Sequence, residues 1–390
     1  MSFQQHLPLL RLLLNGDHHA AADLLQHGAV QPDAFVQFVT RHRLQLLVFS
    51  LLDGSPVRQS LSPQWLDELK RFSLRQWAAQ ETLVRELAQV STLLAAAGQE
   101  FILLKGPYLA TRFFGGVDRR EFWDLDILVR REQVGAVEIL LRNAGYTRKS
   151  TVLINTALTT RFTHAFDFVK GAHALDLHWL LSANAAHDLD YEAIWRQRQT
   201  FILRNHKFFV LSDEYEVVFN LISTFKDLER GAARLKSFID LYSILSAVSR
   251  HLNWEAFLEH RRREKILRIS VNVLAFFLEL FECQPKFPDV AAALAREHEH
   301  VKSVPSGYHQ VLIDGSPGAV KNKVWAAGIY ECSRLHVLVW WLLSLPFRLA
   351  VHDSGRYDHL RCTLRQVIDR VLAKVSGRSA GCAQDHGATR

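Results

Sequence analysis

Along residues 1–98 apolar side chains recur at intervals of three and four, the period of helices with one buried face. A helix is predicted over Asp33 to Leu52, started by Pro32 and carrying Phe35, Phe38, Val39, His42, Leu46 and Phe49 inward. A second is predicted over Glu81 to Ala97 through Leu83, Leu87, Val90 and Leu94, with Gly98 where a helix C-cap belongs. At residue 99 the period changes. Phe101 to Leu104 is a short unbroken apolar run, the mark of a buried strand, and it halts at Lys105-Gly106-Pro107 before a helix over Tyr108 to Phe114. Strands are predicted over Trp123 to Val129, Arg161 to Lys170 and Ala174 to Leu180, and a helix over Gln133 to Ala144 closed by Gly145. From Asp213 the helical period returns, over Tyr215 to Thr224, Leu235 to Ser249 and Ile266 to Phe281. Pro285 to Pro288 and Val304 to Gly318 read as loops.

These patterns divide the chain into an N-terminal helical region over 1–98, an α+β core over 99–212, a C-terminal helical domain over 213–375 and a disordered tail over 376–390. Composition adds only exclusions. With 48% hydrophobic and 22% charged residues, the 390-residue chain is not largely disordered, collagenous or coiled-coil. Its net charge of +7 favours anionic partners such as nucleotides, RNA or lipid headgroups without choosing among them. The four cysteines form no Cys-x-x-Cys pair, which argues against a zinc site or a disulfide scaffold and suits a reducing cytoplasm.

Two apolar runs bear on membranes. Leu7 to Leu14 is broken by Pro8 and Arg11 and lacks the flanks of a secretion signal. Val337 to Phe347 falls short of the ~20 apolar residues that a spanning helix needs. It reads as a buried helix, with an interfacial helix, and so a peripheral membrane contact, as the alternative. The basic run Arg261-Arg262-Arg263 reads as a solvated helix face rather than a nucleic-acid or headgroup patch.

The chemistry concentrates on Trp123-Asp124-Leu125-Asp126-Ile127-Leu128-Val129. Side chains alternate along a strand, so Asp124 and Asp126 share one face while Leu125, Ile127 and Val129 pack the other. Two neighbouring carboxylates repel unless a cation lies between them, and a hard ion such as Mg²⁺ or Mn²⁺ takes such oxygens together with phosphates and water. The solvated face of an edge strand is the plainer explanation of such a pair. Ala174-Leu175-Asp176-Leu177-His178-Trp179 adds a third carboxylate in apolar alternation, and three on adjacent strands make a site for two metals. His178 shares the strand face of Asp176 and is a candidate to tune the cluster. Upstream, Gly106 allows a close backbone approach at a helix start, Lys105 supplies a point charge suited to phosphate, and Arg120 is a second phosphate candidate.

In this order, strand–Lys105-Gly106–helix, Arg120-x-x-x-Asp124-x-Asp126, Gly145-Tyr146 and Asp176-Leu-His-Trp, the chain resembles a bacterial family of uncharacterised nucleotidyltransferases in the DNA polymerase β-like superfamily. The likeness is strongest over 99–180 and extends through Leu235-Lys-Ser-Phe-Ile-Asp240-Leu. It implies a small mixed sheet flanked by helical regions, an NTP as donor and Mg²⁺ or Mn²⁺ as cofactor. It further implies that Asp124, Asp126 and Asp176 are the catalytic, metal-binding carboxylates and that Lys105, Gly106 and Arg120 bind nucleotide. The acceptor, whether a protein, sugar, small molecule or RNA, is left open. Lys105-Gly106 stands where most of the superfamily has Gly-Ser, which removes a hydroxyl from the phosphate turn. A glycosyltransferase using Asp-x-Asp and a non-catalytic descendant of the fold are the alternatives.

Overall fold

The computed structural model describes residues 3–149, 160, 163–297 other than 183 and 185, 299, and the isolated positions 312, 313, 331, 339 and 342. The loop expected over Val304 to Gly318, the apolar run Val337 to Phe347 and the tail from 376 lie outside the described residues, apart from single positions. Among the described residues, no helix is long and apolar enough to cross a membrane.

Four short helices open the chain: α1 (Phe3–Asn15), α2 (His18–Gln26), α3 (Pro32–Arg41) and α4 (Gln45–Leu52). Then comes α5 (Pro63–Ala96), 34 residues long. Ser62 starts it, its Oγ accepting from the Trp65 N–H at 3.3 Å, and Gly98 stops it in the left-handed region at φ 66°. The α+β part runs β1 (Ile102–Leu103), α6 (Pro107–Phe114), β2 (Asp124–Leu128), α7 (Val134–Asn143), β3 (Thr147–Arg148), β4 (Ala165–Lys170), β5 (His173–His178), α8 (Tyr191–Arg196), β6 (Gln199–Leu203) and β7 (His206–Val210). Among the described residues five helices follow: α9 (Asp213–Arg230), α10 (Leu235–Val248), α11 (Trp254–Arg263), α12 (Leu267–Phe281) and α13 (Pro288–Arg296).

The strands form one mixed sheet of seven, in the order β3-β4-β5-β2-β1-β7-β6. β2 runs parallel to β5, and β1 runs antiparallel to β2. One face carries Leu103, Leu125, Ile127, Val129, Leu175 and Leu177, and packs with Leu83, Leu87, Val90 and Leu94 of α5 and Val137 and Leu141 of α7. On the other face Ile102, Leu104 and Leu128 join a second core shared with the N-terminal helices and with α9, α10 and α12. The acidic residues lie on this second face. The strand over Trp123 to Val129 and the helices after Leu104 and Val129 thus form as the alternation and periodicity predict.

Two local expectations change. The helix predicted over Asp33 to Leu52 is broken between α3 and α4, where Arg43 takes φ 56°. The freed N–H groups of Gln45 and Leu46 donate to Glu121 Oε1 at 2.8 and 3.4 Å, so a carboxylate 76 positions away from Gln45 caps α4. Residues 199–210, left unassigned by periodicity, form a hairpin whose turn places Arg204 and Asn205 at φ 48° and 67°, the primed turn that matches strand twist.

His42, at that helix break, is buried against Phe3 and Phe38 and accepts the Leu235 N–H on Nδ1 at 3.3 Å. Burial first, then Arg41 and Arg234, push its pKa down to about 3. The folded state therefore excludes a proton that the unfolded chain binds near pH 6.5. The stability this gives is full above that pH and is lost as pH falls toward 3, at up to ~1.4 kcal/mol per pH unit. Unfolding free energies measured from pH 7 to pH 4 should fall less steeply in His42→Asn, by about one proton. Equal slopes would show that His42 is protonated in the native state.

Candidate active site

The loop that delivers β2 is held from below by α5. Gln76 and Gln80 are buried on that helix, as are Ser73, Glu81 and Glu86. Gln80 Oε1 accepts the Phe122 N–H at 3.1 Å, and Gln80 Nε2 donates to the carbonyls of Arg120, at 3.2 Å, and Val117. Gln76 Nε2 donates to the Phe122 carbonyl at 3.1 Å. Trp123, next in line, is exposed, and Asp124 then opens the strand.

Parallel pairing of β2 with β5 sets Asp126 directly opposite Asp176 and Asp124 opposite Ala174. The next strand sets Asp167 opposite Asp176. Three carboxylates therefore lie side by side across one sheet face, with Asp124 one step along it. Ligand atoms of Asp126, Asp176 and His178 all lie within 4.8 Å of one another, and Asp124 falls outside that group. His178 Nε2 meets Asp126 Oδ1 at 3.0 Å, while its Nδ1 is buried without a partner.

The electrostatics differ residue by residue. Burial and then Asp126 raise Asp124 above the usual carboxylate range, against Lys105, Lys236 and Arg120. Burial and then Asp126, Asp167 and Asp124 push Asp176 up to about 8, with Lys149 acting the other way. Asp126 goes down: burial opposes its charge, but the His178 hydrogen bond and the charges of Lys105 and Arg120 outweigh it. Burial and the mutual repulsion of the three carboxylates thus act against the charge of Asp124 and Asp176. An oxygen-rich cluster of this kind fits a hard divalent cation in donor type.

Lys105 and Gly106 border this face. Lys105 Nζ donates to Ser223 Oγ at 3.1 Å and lies 4.5 Å from the Phe219 ring centroid, which ties it to α9. Gly106 precedes α6 at φ 62°, ψ −127°, and a Cβ there would stand 3.2 Å from the Asp124 carbonyl oxygen. Only glycine takes that backbone conformation without strain. Gly106→Ala is expected to cost about 1–3 kcal/mol in urea unfolding, because both the backbone strain and the displacement of Asp124 must be met. A loss under a few tenths would show that the turn relaxes freely.

Arg120, expected above as a phosphate contact, meets a carboxylate of α10. It is buried, with Nε and Nη2 donating to the two carboxylate oxygens of Asp240 at 2.6 and 2.8 Å. Lys236 Nζ joins the same carboxylate at 3.2 Å. A bidentate partner from α10 takes up the guanidinium, so Arg120 reaches the acidic face only through its charge. His164, which the sequence reading did not single out, completes the surroundings: Lys226 Nζ lies 3.2 Å from His164 Nε2, and the His164 and His178 rings are 5.9 Å apart. Burial first, then Arg230 and Lys105, bring Lys226 down to about 8.

A model of the family described as "Uncharacterised nucleotidyltransferase" matches residues 28–282, well over half of the chain. The protein belongs to that nucleotidyltransferase family. Its mixed sheet within an α+β architecture agrees with the fold that the sequence motifs imply.

Among solved structures, the nucleotidyltransferase is similar to ANT(2″)-Ia in complex with adenylyl-2″-tobramycin, at 12% identity and TM-score 0.34, over 47% of this chain and 98% of that one. It is similar to the lincosamide antibiotic adenylyltransferase LnuA, lincomycin-bound, at 14% identity and TM-score 0.30, over 41% and 94%. A third is an antigenic nucleotidyltransferase-like protein from Paracoccidioides brasiliensis, at 17% identity and TM-score 0.32, over 56% and 93%. No curated protein matches the chain in sequence.

Proposed function

We propose that the protein transfers a nucleoside monophosphate from an NTP to an acceptor hydroxyl, with Asp124, Asp126 and Asp176 holding Mg²⁺ or Mn²⁺. The observation that carries this reading is the register of β2 on β5, which sets Asp176 of β5 directly opposite Asp126 of β2, the strand that also bears Asp124. The raised Asp124 and Asp176 carboxyls support it: burial is the larger cause at both, and the charge of Asp126, the second, is one that a cation would relieve. When bound, the cation supplies neutralisation of the charge on the α-phosphate and the departing pyrophosphate.

The chain's own residues do the rest. Lys105 and the Gly106 backbone border the acidic face and orient the phosphates, with Arg120 acting by charge from behind. Asp176, whose cationic neighbour is Lys149, accepts the proton as the acceptor oxygen forms its bond to the α-phosphorus and the bond to pyrophosphate breaks. A glycosyltransferase reading gives no role to Asp176 or to the Lys105-Gly106 turn, and membership of a nucleotidyltransferase family weighs against it. An NTP donor suits a cytoplasmic setting.

The test is incubation of the full chain with each α-³²P-labelled NTP, Mg²⁺ or Mn²⁺, and cell lysate as the acceptor source. The expected result is label on one class of acceptor, identified by size and by nuclease or protease sensitivity, and no label with Asp124→Asn/Asp126→Asn. Nucleotide binding by the wild type without transfer to any acceptor would overturn the enzyme in favour of a nucleotide-binding descendant of the fold.

A further inference from the structure

We propose that Arg43 and Arg234 form a clamp for the phosphate tail of the nucleotide, so that the N-terminal helices complete the substrate site. The inference rests on the nucleotidyl-transfer reading above and deepens it.

The geometry starts from a strained residue. Arg43 is a non-glycine at φ 56°, a conformation that persists only where surrounding contacts impose it. Both sides of it are fastened. His42 accepts the N–H of Leu235, the first residue of α10, and Gln45 and Leu46 donate to Glu121, three positions before Asp124. The turn is thereby bolted between α10 and the strand that carries the acidic pair. Arg234 immediately precedes Leu235, so Arg43 and Arg234 flank a single hydrogen bond.

Both arginines are exposed, and among the described residues neither has a carboxylate within ion-pairing distance. Partial burial first and then Arg234 oppose the charge of Arg43, and Glu121, Asp124 and Asp227 favour it. Two like charges held together gain when an anion bridges them. Of the other cations beside the acidic face, Lys105 also contacts Ser223, Lys226 meets His164, Lys236 and Arg120 share Asp240, and Lys149 lies on the Asp176 side. Arg43 and Arg234 keep their guanidinium forks available, and those forks match phosphate oxygens in pairs. They also compensate for the hydroxyl that Lys105-Gly106 lacks.

The experiment is calorimetric titration of the full chain with inorganic tripolyphosphate and Mg²⁺, for the wild type, Arg43→Ala, Arg234→Ala, the double variant and Arg43→Gly. Each single alanine should weaken binding about tenfold and the double variant by ~100-fold, the scale of one and two lost charge-assisted contacts. Arg43→Gly should weaken binding as much as Arg43→Ala while melting no lower than wild type, since glycine is at ease in the left-handed region. In the transfer assay the KM for NTP should rise and the KM for acceptor should stay constant. Wild-type affinity for tripolyphosphate in Arg43→Gly would overturn the clamp while leaving nucleotidyl transfer by the wild type intact. So would a rise confined to the acceptor KM, which would assign the pair to the acceptor. A wild-type protein that neither binds tripolyphosphate nor transfers label would overturn both readings.

Discussion

Asp126→Asn should lower nucleotidyl transfer on the order of 10³-fold or more, the scale of removing a group that organises charge at the reacting phosphate. Asp126 is the hub of the cluster. It faces Asp176 across the β2–β5 ladder, shares its strand face with Asp124 and accepts from His178 at 3.0 Å. Asn keeps the volume and one oxygen but removes the charge. The fold should survive, because Asp126 is the second-largest cause of the raised carboxyls at both Asp124 and Asp176. Far-ultraviolet circular dichroism and the urea midpoint should therefore stay near wild type while transfer of label disappears. A variant that transfers label at more than a tenth of the wild-type rate would remove Asp126 from the reaction. A variant that unfolds instead would make the His178–Asp126 contact a structural tie.

Asp240→Ala should cost ~3–5 kcal/mol of unfolding free energy, the penalty for leaving buried charge without its partner. The side chains of Arg120 and Asp240 are 4% and 7% exposed, and Lys236 shares the same carboxylate. Removing Asp240 strands two cations. Removing Arg120 leaves Asp240 with Lys236, so Arg120→Ala should cost less than Asp240→Ala. Replacing all three by Arg120→Met/Asp240→Leu/Lys236→Met should recover much of the loss, since apolar side chains of similar volume carry no desolvation penalty. Arg120, Lys236 and their shared hydrogen bonds hold the Asp240 pKa below the usual carboxylate range in spite of its burial. The stability from that shift is present above pH ~3.8 and is lost as pH falls through the lower folded value. Urea unfolding of the three variants decides the matter, and equal, small losses would show that the triad is solvated in the native state.

The sequence by itself determined the elements whose signals are local. Alternation from Trp123 to Val129 needs only neighbouring residues, and so does the face shared by Asp124 and Asp126. The starts and stops at Gly98, Gly106 and Gly145 follow from backbone freedom, and each of these glycines takes positive φ. The tertiary structure alone decided whatever joins distant positions. Which strand lies beside β2, and in what register, brings Asp176 opposite Asp126 through a parallel pairing that no local pattern encodes. Arg120 finds Asp240 across 120 positions, where the phosphate reading of an isolated arginine had nothing to oppose it. The α3–α4 break shows the same limit, since helical period runs through residues 42–44 while Glu121 and Leu235 hold the chain in another conformation. Periodicity records which side of an element is buried. Pairing of charges and strands depends on contacts summed over the whole fold, and those contacts override local preference where the two conflict.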